Sequence, residues 1–498
     1  MLYEKQEQAV KRIEKNIDNY CVNRTLYLSG EMGVGKTYIA SAWVVRQLVK
    51  DNNRLALIVV PKQVLIKWKK VLEQFCEEQN YDGNIVVAKT TSQVINYETE
   101  NGDILLVPHE RFKNFVENKV KSADEKMLVV FDEVHEVFST SDRPNSKFFE
   151  LEKLKQINDN HEMLLLTGTI FNSHWKNVLR LISITHEELF DKIVKKNYKD
   201  IGDNLEKTSK ILTAIANDYD ISSFIRDFWQ YISIELSIDD IKELSNNRED
   251  IKQVVLPIKS IDLTEEQKIF TKIIKRNLTY LNISNIEENQ MNFIDNPNKD
   301  LRISKRIRKS KNNRYSVVSD YMLSFPLLPV DFETTEKWKE LKKFIKKNGE
   351  DKKYLIYAND PSLIEILVSK LDKSFTIPKD LEKEKFESYF KEQFEINNIG
   401  IVDPRDISTG IDISCDYLIW YQLLDNYSQA LQAQRRVYRL SSDKKTEVLF
   451  LIYKNTYQEK IAKDISDSAK NNAAIQGTQL KNQLAKLTGI ILGDIVDA

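Results

Sequence analysis

The stretch Leu26–Ala40, LYLSGEMGVGKTYIA, decides the fold of the first half of the chain. A short apolar run precedes its glycines, and a helical pattern follows them. Closely spaced glycines let successive backbone N–H groups converge on phosphate oxygens, and the first turn of a helix adds partial positive charge. The spacing Gly30-x-x-x-x-Gly35-Lys36-Thr37 between a strand and a helix therefore predicts a phosphate-binding loop in an α/β sheet.

The residue types of this loop predict how each one contacts a bound nucleotide. Gly30, Gly33 and Gly35 leave room for the phosphates, and the Lys36 ammonium can reach the β- and γ-phosphates. The Thr37 hydroxyl can ligate Mg²⁺. A glycine-rich turn that binds nothing is the alternative, but the position between a strand and a helix argues against it.

A second polar motif, MLVVFDEVH at Met127–His135, complements the loop. Its apolar run predicts a buried strand that ends in Asp132 and Glu133. Carboxylates at the carboxyl end of a parallel strand lie where such sheets bind ligands. We therefore expect Asp132 to hold Mg²⁺ and Glu133 to orient and activate an attacking water. A pair of acids in a solvated turn is the ordinary alternative, and the phosphate-binding loop upstream favours the catalytic interpretation.

Short apolar runs alternate with helical patterns in two blocks of the chain, residues 1–190 and 335–465. This alternation predicts two parallel sheets, each covered by helices on both faces. Residues 191–334 are predicted to form a mainly helical insertion, and residues 466–498 a helical extension. The predicted strands are Thr25–Leu28, Leu55–Val60, Ile104–Val107, Met127–Phe131, Met163–Leu166, Tyr354–Tyr357, Ile399–Val402, Tyr417–Tyr421 and Glu447–Ile452.

Composition excludes several classes of protein. Among 498 residues, 30% are charged, yet the formal net charge is only -1, so no whole-chain attraction to nucleic acid is expected. The three cysteines are too few and too dispersed for a disulfide scaffold. The first residues form no apolar signal segment, and no apolar run approaches the ~20 residues of a membrane span. We expect a cytoplasmic protein, and the abundance of Lys, Asn and Ile suggests a bacterial, phage or plasmid origin.

One local exception to the balanced charge is LRISKRIRKSKNNR within the predicted insertion. Seven cations, uninterrupted by acids, suit contacts with phosphate groups. A solvated loop without a ligand is the alternative. Few aromatic residues are interleaved, so tracking of a duplex backbone fits better than stacking on single-stranded bases. The predicted contacts are Arg302, Lys305, Arg306, Arg308, Lys309, Lys311 and Arg314.

The motifs of the first block resemble those of the superfamily 2 helicases and, within them, the Snf2/Swi2-like ATPases. DEVH at Asp132–His135 is similar to the DEAH-type box, and LLLTGTIFNSHWKNV resembles the third motif of the family. VVPKQVLIKWKK looks like the motif Ia segment, and LYEKQEQAV has Gln6 where the family has its adenine-reading glutamine. Gly30 stands where the family often has Asp.

The second block carries the remaining motifs. YLIYAND resembles motif IV, DISTGIDIS resembles motif V, and QALQAQRRVYRL resembles motif VI. A helix predicted over Gln429–Arg439 would present Arg436 and Arg439, the two arginines of motif VI, on one face. Motif V contains one glycine rather than a cluster, and Leu440–Ser442 replaces the Ile-Gly-Gln of many Snf2 members.

The resemblance implies two RecA-like lobes with ATP and Mg²⁺ between them. Lys36 and Glu133 would act in hydrolysis together with Arg436 and Arg439. The nucleotide would also contact Gln6, Gly410 and Asp412, beside the phosphate-binding loop. His135, Thr167, Thr169, Ser408 and Thr409 would couple hydrolysis to a nucleic acid, and Lys62 would join the basic stretch in contacting it. His135 could equally be a packed histidine, and Trp68 and Trp175 are expected to be core residues rather than base-stacking ones.

Three functions remain open at this point. The first is an ATP-driven translocase on double-stranded DNA that does not need to separate the strands. The second is a strand-separating helicase acting on DNA or RNA, although no separating pin is evident. The third is a non-catalytic, ATP-responsive subunit of a larger complex, which the retention of Glu133 argues against.

Overall fold

The structure is a computed structural model of the 498-residue chain. It describes residues 2–17, 24–30, 33–98, 100–120, 126–135, 147–157, 161–168, 175–197, 221–236, 254–256, 259–263, 265, 268, 333, 335–382, 385–407, 411, 413–424, 426–434, 436–437, 446–454 and 457–475. The chain divides into two compact units. The first lobe is Met1–Glu249 with Ser468–Lys486, and the second lobe is Asp250–Asp467 with Leu487–Ala498.

The first lobe contains a parallel sheet of seven strands in the order β3-β4-β2-β5-β6-β1-β7. Almost every residue of the central strands is buried, because helices cover both faces of the sheet. The strands are β1 Thr25–Gly30, β2 Leu55–Val60, β3 Ile85–Val87, β4 Ile104–Pro108, β5 Met127–Phe131, β6 Glu162–Thr167 and β7 Ser233–Leu236.

Nine helices of the described part accompany this sheet. They are α1 Glu4–Asn16, α2 Lys36–Lys50, α3 Leu65–Gln79, α4 Thr91–Asn96, α5 Phe112–Lys119, α6 Lys147–Ile157, α7 Trp175–Thr185, α8 Glu187–Asn197 and α9 Ile221–Ile232. The core between sheet and helices is built from branched and aromatic side chains such as Leu57, Val129 and Phe131. Burial of such side chains contributes about 1.5–3 kcal/mol each, which makes this layer the main source of stability.

The second lobe repeats the arrangement. Its sheet has the order β11-β12-β10-β13-β14-β8, and β9 pairs with β14 further along that strand. All of these pairings are parallel. The strands are β8 Val254–Val255, β9 Lys259–Ile261, β10 Tyr354–Tyr357, β11 Ser374–Phe375, β12 Ile399–Val402, β13 Tyr417–Trp420 and β14 Glu447–Tyr453. The helices are α10 Glu336–Asn348, α11 Pro361–Lys370, α12 Phe386–Ile396, α13 Tyr427–Gln434 and α14 Tyr457–Ile475.

The predicted fold class, α/β with two RecA-like parallel-sheet lobes, is confirmed. Parts of the predicted insertion are nevertheless strands: β7 pairs with β1 in the first sheet, whereas β8 and β9 pair with β14 in the second. These strands cover sheet edges that would otherwise expose unpaired N–H and C=O groups. The domain limits remain a prediction, and α14 runs continuously across the one predicted at residue 465.

The predicted helix over Gln429–Arg439 is shorter than expected. α13 ends at Gln434, and Arg436 lies in a turn whose carbonyl accepts a hydrogen bond from the Ile413 N–H at 3.1 Å. This hydrogen bond joins the turn to the segment before β13, and Arg436 lies beyond the end of α13. Arg439 lies outside the described residues.

Across the part of the chain that is described, no helix is both long enough and apolar enough to cross a membrane.

Candidate nucleotide site

The glycine-rich loop joins β1 to α2 with the geometry that phosphate binding needs. Gly33 and Gly35 have φ of 94° and 83°, in the left-handed region that favours glycine. Gly35 precedes α2, so the backbone N–H groups of the first helical turn, beginning at Lys36, point out of the helix. The Lys36 ammonium donates to the Gly30 carbonyl at 2.7 Å, which keeps it folded over the loop.

Gln6 fixes the loop from the side of α1. Its Nε2 donates to the Val34 carbonyl at 2.8 Å, and its Oε1 accepts from the Tyr3 backbone N–H at 2.9 Å. A Cβ at Gly35 would collide with the Gln6 amide, so the close approach requires glycine as much as the backbone angle does. Gln6 therefore lies beside the phosphate-binding loop and supports it directly, while its predicted contact with adenine remains a prediction.

Gly30 occupies a crowded end of β1. A Cβ there would come within 2.9 Å of Val34 Cγ2 and 3.0 Å of the Leu236 carbonyl oxygen. The neighbouring strand β7 causes this crowding, because Gly30 is paired with Leu236. The close approach of β7 explains why glycine stands where related motifs often have Asp.

Asp132 follows β5 and is held on both of its carboxylate oxygens. Oδ2 accepts a hydrogen bond from the Trp68 indole N–H at 2.9 Å, and Oδ1 accepts one from the Glu133 backbone N–H at 3.0 Å. Burial, followed by the neighbouring Glu133 carboxyl, raises the pKa of Asp132 to about 6, while Trp68 and the charge of Lys36 oppose the rise. The site therefore favours a cation beside this carboxylate.

Glu133 has an unusual backbone and a buried carboxylate. Its φ of 53° is rare for a residue with a side chain. Its Oε2 lies 3.2 Å from His135 Nδ1, yet makes no hydrogen bond of good geometry with any described residue. A buried carboxylate oxygen with unused acceptor capacity is suited to bind a water, as the predicted role requires.

His135 connects this turn to the neighbouring strand. It is buried, and its Nδ1 lies 3.4 Å from Thr167 Oγ1 at the end of β6. Thr167 is paired with Ser29 of β1, and a Cβ at Gly168 would lie 3.7 Å from Lys36 Nζ. The carboxyl ends of β1, β6 and β5 thus bring Lys36, Thr167 and Asp132 to one edge of the sheet.

These residues fit ATP and Mg²⁺. Among the described residues, no cluster of three or more His, Cys, Asp or Glu side chains could bind a metal by itself. Mg²⁺ instead needs one or two carboxylates, waters and substrate phosphates. Asp132 and the Thr37 hydroxyl are hard oxygen ligands of that kind, and the glycine loop leaves a cradle that side chains would fill.

One of the two arginines of motif VI is described, and it belongs to the second lobe. Arg436 is 5% exposed, which excludes a solvated helix face for this side chain. It lies near Tyr357, whose pKa burial raises well above its usual value while the arginine charge opposes the rise. Ser408, Thr409, Gly410, Asp412 and Arg439 lie outside the described residues, as does Thr169 of the first lobe.

Two further predictions concern nucleic-acid contacts. Lys62 begins a short 3₁₀-helix after β2 and is exposed, so it is accessible to a ligand. The basic stretch Arg302–Arg314 lies outside the described residues. Trp68 is buried, as predicted for a core residue, and Trp175 is partly buried against the core that contains Val129 and Phe131.

Sequence reasoning missed two supports of Asp132. Trp68 was assigned to the core alone, and His109, which follows β4, was not considered. His109 Nε2 lies 2.8 Å from the Asp132 carbonyl oxygen, and its ring stacks on Phe131 with centroids 4.9 Å apart. The signal that could have found both is a polar-tipped aromatic residue shortly after a buried parallel strand.

The chain is similar to proteins that use ATP on nucleic acids. Residues 1–172 match the family model described as type III restriction enzyme, res subunit. The ATP-dependent helicase fft2 of Schizosaccharomyces pombe is 27% identical over 168 residues, 33% of this chain and 12% of that protein. The ATP-dependent helicase fft1 of the same yeast is 22% identical over 488 residues, 87% of this chain and 49% of that protein.

The chain spans at most about half the length of these curated relatives. A solved structure described as the Sulfolobus solfataricus SWI2/SNF2 ATPase core in complex with dsDNA aligns with 98% of this chain and 97% of that chain. It has 16% sequence identity and a TM-score of 0.38.

Proposed function

We propose that the chain, whose motifs resemble those of the Snf2-like ATPases of helicase superfamily 2, hydrolyses ATP to move along double-stranded DNA. The observation that carries the proposal is the single sheet edge at which Lys36, Asp132 and Glu133 meet. A lysine, a metal-holding carboxylate and a water-positioning carboxylate are the parts that phosphoryl transfer needs.

Each residue has a defined task in this proposal. The loop amides and Lys36 bind the β- and γ-phosphates, and Thr37 and Asp132 hold Mg²⁺. The metal supplies neutralisation of the charge on the phosphate oxygens. Glu133 Oε2 accepts a proton from the water that it orients toward the γ-phosphate. Gln6 orients the base, and its bond to Val34 links that recognition to the loop.

Arg436 and Arg439 are the proposed catalytic arginines. A guanidinium is permanently charged and planar, so it suits the charge that develops on the transferring phosphoryl group. Gly410 and Asp412 would contact the same nucleotide from motif V. Closure of the lobes by ATP and their separation after hydrolysis would then provide a two-state cycle.

DNA binding is assigned to Lys62, to the basic stretch and to the coupling residues. Lys62 and the stretch Arg302–Arg314 would contact backbone phosphates, which predicts a steep dependence of affinity on salt. His135 with Thr167 and Thr169, and Ser408 with Thr409, would couple the nucleotide to this track. We further assign the protein to the cytoplasm, where a DNA-dependent ATPase of a bacterium, phage or plasmid would act.

One experiment tests the proposal. ATP turnover of the full chain is measured alone and with duplex DNA, single-stranded DNA or RNA, and strand separation is followed in parallel. Stimulation by duplex without unwinding supports the proposal. Unwinding would favour the strand-separating helicase, and an absence of turnover under every condition would favour an ATP-responsive subunit.

The DNA contacts need a separate comparison. Reversal of charge at Arg306, Arg308 and Lys309 should weaken duplex binding and flatten its salt dependence, while basal ATP turnover is unchanged. The matched control reverses Lys339, Lys343 and Lys346, three exposed lysines of α10. Equal duplex affinity in the two variants would show that the basic stretch does not contact DNA.

A further inference from the structure

Trp68 has a hydrogen bond that distinguishes it from another buried tryptophan of the same lobe. Trp68 on α3 and Trp43 on α2 are 1% and 0% exposed. The Trp68 indole N–H donates to Asp132 Oδ2 at 2.9 Å, whereas the Trp43 Nε1 has no hydrogen-bond partner among the described residues. Packing alone therefore accounts for Trp43 but not for the contact that Trp68 makes.

The contact constrains a torsion that would otherwise be broad. The last side-chain torsion of an aspartate has no sharp staggered minima, so a carboxylate without directional partners samples many orientations. The Trp68 indole N–H donates a hydrogen bond to one carboxylate oxygen of Asp132, and the Glu133 backbone N–H donates to the other. His109 meanwhile lies 2.8 Å from the carbonyl oxygen of the same residue. Side chain and backbone of Asp132 are thus fixed from three elements.

We propose that Trp68 is a positioning residue, which orients the Asp132 carboxylate so that its remaining lone pairs are directed to Mg²⁺ before the metal arrives. The inference rests on the proposed function, because it deepens the role assigned there to Asp132. Groups that hydrogen-bond to a metal ligand commonly change metal affinity or activity about 10–100-fold when they are removed. Trp68 acts through Asp132 and does not itself contact nucleotide or metal.

The test compares Trp68→Phe with Trp43→Phe in the full chain. Both changes keep a buried aromatic ring and delete an indole N–H, but only the first removes a hydrogen bond. The affinity of Mn²⁺ in the presence of ADP is measured by electron paramagnetic resonance, and the affinity of ADP is measured in excess chelator. Thermal denaturation reports whether each variant is folded.

We expect Trp68→Phe to weaken Mn²⁺ binding about tenfold or more, by loss of the pre-oriented carboxylate. Its metal-free ADP affinity should equal that of the wild type, and Trp43→Phe should leave both affinities unchanged. Equal Mn²⁺ affinities in the two variants would overturn the inference. So would a loss of ADP affinity that is the same with and without metal, because that result reports general damage to the lobe.

A measurement on the wild type keeps the inference testable if Trp68→Phe does not fold. The indole N–H resonance of Trp68, assigned through its contacts with other α3 protons, should shift when Mg²⁺ and ADP are added, and that of Trp43 should not. No shift at Trp68 despite bound Mg²⁺-ADP would overturn the inference. Failure of the wild type to bind Mn²⁺ with ADP would instead count against the proposed function itself.

Discussion

The two sheets of the molecule share a topology but differ at their carboxyl edges. In the first lobe this edge contains left-handed backbone at Gly33, Gly35 and Glu133. In the second lobe the polar groups bond to one another: Gln422 Oε1 accepts from the backbone N–H groups of Asn359 and Asp360 at 2.9 and 3.2 Å. Asn359 Nδ2 donates to the Leu423 carbonyl at 3.0 Å.

The difference teaches how one scaffold divides its tasks. Left-handed backbone and buried carboxylates cost stability and persist where a ligand compensates for them. Mutually bonded amides satisfy one another and need no ligand. The first edge is therefore suited to chemistry, and the second edge is suited to rigid support. Four substitutions can sharpen or break this distinction.

The largest effect is expected at the phosphate-binding loop. Lys36→Ala should reduce ATP turnover on the order of 10³-fold, because a preorganised positive charge at the phosphates is lost. The measurement is steady-state phosphate release. The control is Lys50→Ala at the other end of α2, whose ammonium contacts Glu14 at 3.0 Å. Unchanged ATP turnover in Lys36→Ala would contradict the proposal that the phosphate-binding loop of the first lobe carries out hydrolysis.

Arg436→Gln asks whether the second lobe joins the chemistry. Basal turnover should fall on the order of 10²-fold, because the planar charge that stabilises the transferring phosphoryl group is missing. ATP affinity in the absence of DNA should change little. Arg405→Ala, an exposed arginine of the same lobe, is the control and should keep basal turnover. Equal turnover in both variants would restrict catalysis to the first lobe.

A substitution of Glu235 on β7 tests whether the sheet of the first lobe contains a carboxylate that destabilises the fold. Burial raises the pKa of Glu235 from 4.5 to about 7, so the folded state favours the protonated form and stability falls as pH rises through this window. Glu235→Gln should therefore stabilise the protein at pH 8 by up to about 3 kcal/mol, a gain that disappears below pH ~4.5. Urea unfolding at both pH values measures it, and a gain independent of pH would contradict the prediction.

Gln422→Ala probes the support in the second lobe and has the smallest expected effect. Two backbone N–H groups lose their acceptor, which should reduce the free energy of unfolding by about 1–3 kcal/mol. Denaturant unfolding measures this change, and ATP affinity should be unaltered. Gln74→Ala on the exposed surface of α3 is the matched control. A loss of ATP affinity without a loss of stability would assign Gln422 to the nucleotide site.

Elements with a clear apolar pattern were predictable from sequence. The strands Leu55–Val60 and Met127–Phe131 and the helix Lys36–Lys50 have the predicted limits. Every residue of the two strands is apolar, which predicts strands buried on both faces, and the glycine loop determines where the helix begins. Short edge strands such as Val254–Val255 were not predicted, because two residues carry no periodicity and the pairing partner is distant in the chain.

The motifs indicate a family resemblance that the similarity to ATP-dependent helicases supports. Lys36 and Asp132 lie at one edge of the first sheet and Gln6 bonds to the neighbouring loop, whereas the roles assigned to these residues remain predictions. The supports from Trp68 and His109 could not be predicted, because each joins residues that only the sheet order brings together. The end of α13 before Arg436 was missed for a similar reason: the Ile413 N–H that bonds the turn is remote in sequence.

The docking of α1 has a practical consequence for anyone who shortens the protein. Arg46 makes a paired contact with Glu7 at 2.8 and 2.7 Å, one residue beyond the amide that closes against Gly35. The first turn of α1 thus holds the phosphate-binding loop in place. A shortened protein that begins after Glu7 would lose these contacts. We expect it to bind nucleotide weakly even though its catalytic residues are intact.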